Sequence, residues 1–232
     1  LTLAMGAGSL TLTGGGEALV SGKVDYNVTE WKPVVEVDGD AVTVRQGGDT
    51  NGNFTTWPGN SVVNDWQLQV GDTPLELIVN AGAYQGNLKL GAVPLRRLEI
   101  NDGAASANVR FDELNPEEMS ELIYKTGAST VTLTGLANAN FETMRFDSGA
   151  GSYTLDFSGD LQRDATVEIS SGVSTLTLII PKGVHAIVTS DSALSSITTT
   201  GEWSTSGSTY TAAGEGPTLT ISVDTGVSTL NL

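Results

Sequence analysis

The sequence predicts an all-β solenoid, a parallel β-helix built from coils of about 22 residues, on three observations. A Gly-Ala/Val-x-Ser/Thr-x-x-apolar stretch recurs seven times along the 232 residues. On either side of these glycines apolar residues alternate at period two, the spacing of one strand face. The polar remainder is mostly Thr, Ser, Asn and Gly, types that suit strands and tight bends better than helix interiors.

The copies begin at Gly6 (GAGSLTLTG), Gly82 (GAYQGNLKL), Gly103 (GAASANVRF), Gly127 (GASTVTLTG), Gly149 (GAGSYTLDF), Gly172 (GVSTLTLII) and Gly226 (GVSTLNL). From Gly82 to Gly172 the spacings are 21, 24, 22 and 23 residues. Four and six residues after the glycine stand inward pairs such as Leu10 and Leu12, Val131 and Leu133, and Leu176 and Leu178. The Gly82 copy departs once, with Gly86 at the first of the two positions. Five and three residues before the glycine come Leu77 and Val79, Leu98 and Ile100, Leu122 and Tyr124, and their equivalents. One unit therefore reads strand, loop of variable length, strand, glycine corner, where the glycine supplies a positive φ or room for close backbone approach.

Such a unit cannot bury its apolar face alone, and stacking in register closes a continuous core. A β-sandwich is the alternative, since short strands at regular spacing also read that way. Near-constant repeat length and matched corner glycines favour the solenoid. Residues 71–232 carry the repeats, while 1–70 form an N-terminal β portion continuous with them, which covers the open end. Asn115-Pro116-Glu117-Glu118 reads as a helical turn, with Asn as N-cap and Pro at the first position. Between Gly172 and Gly226 the repeat blurs, and Ser190 to Thr211 reads as one or two less regular coils.

The formal net charge is −16, from 27 acidic and 11 basic residues, which argues against nucleic acid and anionic lipid as partners. No cysteine is present, so a disulfide framework and a cysteine zinc site are excluded. The longest apolar run, Leu176 to Pro181, is too short to span a bilayer, and Leu1 opens in a strand pattern without an initiator Met. The expectation is that a targeting or anchoring segment precedes it.

The opening MGAGSLTLTGG, with Leu19-Val20-Ser21-Gly22 and Tyr26-Asn27 after it, resembles the bacterial toast-rack N-terminal domain. The run from Trp66 through GAYQGNLKL and GAGSYTLDFSG to Ile180-Pro181-Lys182-Gly183-Val184 resembles the "putative adhesin" and LiaF-like C-terminal domains. The resemblance implies a right-handed, single-stranded β-helix on the outer side of a bacterial membrane. It implies adhesin-like or envelope-stress-sensing roles, and it brings no catalytic residues.

His185 is the only histidine, so a Ser-His-Asp triad would have to use it, yet no Gly-x-Ser-x-Gly elbow is present. Glycan cleavage needs paired acids facing one groove, for which Asp112, Asp147, Asp156 and Glu168 are the outward candidates. Five residues after each corner glycine stand Thr11, Asn87, Asn108, Thr132, Thr154, Thr177 and Asn231, an outward ladder able to hydrogen-bond a glycan. The column beyond it, with Lys89, Arg110, Thr134, Asp156 and Ile179, breaks the regular array that an ice-binding face needs. Asp49, Asn51 and Asn53 have the spacing of half a calcium loop, without the later glycine and bidentate acid. The reading is a non-enzymatic, extracytoplasmic solenoid, adhesin-like, meeting a protein or a cell-envelope glycan and needing no cofactor, with calcium as the one candidate ion. A polysaccharide-active enzyme and an envelope-stress sensor are the alternatives.

Overall fold

A computed structural model describes residues 1–48 and 62–232. Eight long strands form the body: β1 (Thr2–Gly16), β6 (Leu75–Lys89), β7 (Leu95–Arg110), β8 (Met119–Thr134), β9 (Phe141–Asp156), β10 (Ala165–Ile179), β11 (Gly183–Thr198) and β14 (Gly214–Asn231). Each makes one coil, and neighbouring coils pair in parallel along most of their length. Six shorter strands stand at the ends: β2 (Val20–Tyr26), β3 (Val34–Asp38), β4 (Ala41–Arg45), β5 (Asn64–Gly71), β12 (Ser204–Ser206) and β13 (Thr209–Ala212). All fourteen belong to one sheet, so the chain is a β-helix solenoid and not a sandwich.

The two half-strands expected in each unit are one strand, bent at the glycine. Inward residues stand three and five before the corner but four and six after it, so the alternation slips by one there. The glycine and its successor both face outward: Gly103 and Ala104, Gly127 and Ala128, and Gly149 and Ala150 are exposed in succession. None of the seven corner glycines has a positive φ. Their need is for space. A Cβ on Gly82, Gly103, Gly127, Gly149, Gly172 or Gly226 would stand 3.0 Å or less from the carbonyl oxygen of the corner glycine one coil below. Close stacking of bare backbone, not left-handed geometry, explains the repeat's most constant residue.

The inward columns are continuous. Leu3, Val79, Ile100, Tyr124, Phe146, Ile169 and Val223 lie in register and are all buried. At Gly86 the ring of Tyr84 lies where a Cβ would project, so the tyrosine from two residues earlier takes the place that the position's own side chain fills elsewhere. Tyr124 packs on Phe146 of the next coil at a centroid separation of 5.6 Å, and Phe146 meets Tyr153 of its own coil edge-to-face at 5.2 Å.

Coil order departs from chain order at both ends. β1 lies between β6 and a split coil, of which β4 pairs with Thr2–Ala4 and β5 with Ser9–Gly16. β3 and β2 then pair antiparallel on β4 and β5. At the other end β14 runs between β10 and β11, and the β12–β13 hairpin pairs antiparallel on β11. The blurred text after Gly172 is thus one full coil and a hairpin. Where the split coil has no corner, side chains replace it. Gln46 Oε1 accepts from the Gly6 amide at 2.9 Å and from Asn64 Nδ2 at 3.0 Å, and Asn64 Nδ2 donates to Ala7 O at 2.6 Å.

The helical turn expected at Asn115 is a bend. Asn115 is buried; its Oδ1 accepts from Leu95 N at 3.1 Å and Glu117 N at 3.1 Å, and its Nδ2 donates to Leu95 O at 2.8 Å and Ala139 O at 3.1 Å. The residue caps no helix because it clamps three coils together. Asn138 and Asn140 repeat the device one coil on, donating to Phe111 O at 2.9 Å and Glu117 O at 3.0 Å.

Candidate functional site

The corner divides each coil into two arms with different outer surfaces. Before the corner the outward columns mix charged residues with Thr, Ser and Ile, and the charged ones pair. Arg97 Nη2 meets Glu99 Oε2 at 2.6 Å and its Nε meets Glu121 Oε2 at 3.2 Å, while Arg145 meets Glu168 at 3.1 Å on the next pair of coils. Hydrogen bonds from Asn101 and Arg97 hold the Glu99 carboxyl below the usual carboxylate range.

After the corner two of the outward lines are uncharged, and a third, farther from it, carries Lys89, Arg110 and Asp156. Thr11, Asn87, Asn108, Thr132, Thr154, Thr177 and Asn231 fall in one line, each opposite the next. The register extends the line to Gln67 on β5 and Thr198 on β11. Two residues nearer the corner runs a second line that sequence reading passed over: Ser9, Gln85, Ser106, Thr130, Ser152, Thr175, Thr229 and Ser196. From Gln85 to Ser196 its members are exposed. The signal was present as a Ser/Thr-x-Thr/Asn pattern in most copies. The pattern is masked in the sequence by Gln85 and by the neighbouring column, where Lys89, Arg110 and Asp156 interrupt.

Every coil therefore presents two hydroxyl or amide side chains about 7 Å apart, repeating about every 4.8 Å along the stack. From Ser9 and Thr11 to Thr229 and Asn231 no charged residue enters either line. Asp65 closes the second line at the β5 end, where Ser9 Oγ donates at 2.6 Å and Gln67 Nε2 at 2.8 Å, depressing its pKa. Asn231 Nδ2 donates to Thr177 Oγ1 at 3.3 Å, the one side-chain bond along the Thr/Asn line among the described residues. The remaining groups keep free donors and acceptors.

Inside the corner runs a buried polar seam. The Tyr124 hydroxyl donates to Asp102 at 2.7 Å, and Thr126 and Ser129 bond the same carboxylate. Ser148, Ser171 and Ser174 continue it over the next coils. Burial, with the Asp102 charge behind it, pushes the Tyr84 phenol well above its ordinary range.

The other candidates do not converge. Glu168 is paired to Arg145, Asp112 lies 3.6 Å from Arg110, and Asp156 Oδ1 accepts from Ser158 N at 2.9 Å. With Asp147 on the opposite arm from Asp156, the four acids occupy four separate columns. His185 is half-buried opposite Thr218 on β14. Among the described residues no cluster of three or more His, Cys, Asp or Glu could hold a metal. Asp49, Asn51 and Asn53, the calcium candidates, lie outside the described residues. No described helix is long and apolar enough to cross a membrane.

A crystal structure of a "putative cell adhesion protein" from Clostridium sporogenes aligns with 99% of this chain and 89% of its own, at 18% identity and a TM-score of 0.48. No curated protein matches the chain. The family model for the N-terminal domain of toast_rack (DUF2154) matches residues 1–120 and again 113–179. With most of its length so matched, the chain belongs to the toast-rack N-terminal domain family.

Proposed function

We propose that this chain is a non-enzymatic, adhesin-like interaction module of the bacterial cell envelope, placed outside the cytoplasm, which meets its partner through the neutral double ladder after the corner. The observation that carries the reading is the segregation of charge. In a chain of net charge −16, two adjacent outward lines stay uncharged over seven coils, while the opposite arm carries the Arg97–Glu99, Arg97–Glu121 and Arg145–Glu168 pairs. The fold does not require this, because outward residues on both arms sit on equally regular strands. A face of free hydroxyl and amide groups on a rigid scaffold suits recognition by many weak hydrogen bonds. Among the described residues the four candidate acids stand in separate columns and form no paired-carboxylate groove.

The test is co-sedimentation of the protein with isolated bacterial envelope, separated into glycan and membrane fractions, with calcium or with chelator. Saturable binding to one fraction, abolished by Thr132→Lys with Thr154→Lys, supports the reading. Binding that these substitutions leave intact, or polysaccharide hydrolysis by the wild type, contradicts it.

A further inference from the structure

The double ladder has a length, a polarity and a border that narrow the ligand, on the reading that this face is the contact surface. We infer that it is a track for a neutral, extended polysaccharide lying along the solenoid axis, with about one sugar facing each coil. Nine rungs from Gln67 to Thr198 span about 40 Å at the spacing of paired strands. Each rung offers both donors and acceptors, which sugar hydroxyls require, and the cations beside the track, Lys89 and Arg110, flank only two of its rungs, with Arg110 paired to Asp112. The strongly negative chain repels an anionic glycan.

The border supplies the apolar contact. Alongside the second line, at the position after each corner glycine, runs an exposed ridge of Ala83, Ala104, Ala128, Ala150, Val173 and Val227. Val173 and Val227, opposite each other on β10 and β14, are 62% and 52% exposed. This ridge can take the C–H face of a sugar ring. Tyr26 on β2 is the one exposed aromatic residue among the described large hydrophobics, and it lies off the ladder. Each sugar therefore binds weakly, and affinity accumulates along the track.

The experiment is calorimetric titration of the wild-type protein with neutral β-1,4-linked glucose and N-acetylglucosamine oligomers of increasing length, with polygalacturonate as the anionic comparison. Affinity should rise about tenfold or more from dimer to octamer and then level off as the track fills. Thr132→Val with Thr154→Val keeps β-branched shape and should cost about fivefold or more in octamer affinity. Affinity independent of length, preference for polygalacturonate, or unchanged binding by the double variant would overturn the inference. If these substitutions abolish envelope binding while the wild type ignores every neutral oligomer, the contact face stands and the neutral-polysaccharide assignment falls.

Discussion

The two arms of each coil solve the same packing problem and present different surfaces. Inward, both carry aliphatic and aromatic columns that close one core: Val79, Ile100 and Tyr124 before the corner, Leu88, Val109 and Leu133 after it. Outward, one arm carries Arg–Glu pairs among Thr and Ile, and the other keeps two lines of Thr, Ser, Asn and Gln free of charge, with Lys89, Arg110 and Asp156 only in the line beyond them. Burial and corner geometry dictate the inner columns, so their likeness says nothing about function. The outer contrast is not dictated by the fold, and it is the feature a ligand would read.

Both arms hang from the glycine corner, so the largest expected effect is there. Gly127→Ala places a methyl against the Gly103 carbonyl in the middle of the stack and should destabilise by about 3 kcal/mol in urea unfolding. Gly226→Ala meets Gly172 O at 3.0 Å and should cost about 1 kcal/mol. Equal losses at the two sites would refute stacking distance as the cause.

The loop side is next. Asn115→Ala leaves the Leu95 amide and carbonyl and the Ala139 carbonyl without their side-chain partner, at a cost of about 2–3 kcal/mol. A loss near 0.5 kcal/mol would mean that the asparagine clamp is incidental.

Inside the corner the effect is on pH dependence. Tyr84 has its pKa raised in the folded state, mainly by burial. Its contribution is therefore intact below the unfolded value of about 10 and is lost as pH rises above it. Unfolding midpoints measured between pH 9 and 11 should fall for the wild type and fall less steeply for Tyr84→Phe. Parallel profiles would show that the seam is open to solvent.

Much of this was legible in the amino-acid pattern, and the reasons differ by element. The coil boundaries were readable because burial imposes period two on pairs such as Leu176 and Leu178, and because glycine stands at seven stacked corners; in the β11 coil Ala193 takes that register position, which is one reason the repeat blurs there. The position of β14 between β10 and β11 was not, since pairing order depends on which edges the blurred segment leaves open. Asn115 misled because Asn before Pro followed by acids serves helix caps and bends alike, and only the carbonyls of adjacent coils decide. Of the candidate face, the Thr/Asn line was visible copy by copy. Its partner line was obscured by Gln85 and by the charged column on the other side.

The smallest effects should fall on the outer surfaces. Arg97→Gln removes half-exposed pairs and should cost under about 1 kcal/mol, less in high salt. Thr132→Val should change stability by about 0.5 kcal/mol or less. A large loss at Thr132 would give the ladder a structural purpose and weaken its claim as a contact surface.

The contrast between the arms can be read directly because the chain has no cysteine. Single variants Thr130→Cys and Ser152→Cys report on the ladder arm, and Thr166→Cys and Ser170→Cys on the charged arm, all at exposed positions. Maleimide labelling of each, with and without bound bacterial envelope, is the measurement. The account predicts that envelope slows labelling at 130 and 152 and leaves 166 and 170 unchanged. Protection confined to 166 and 170, or equal on both arms, would contradict it.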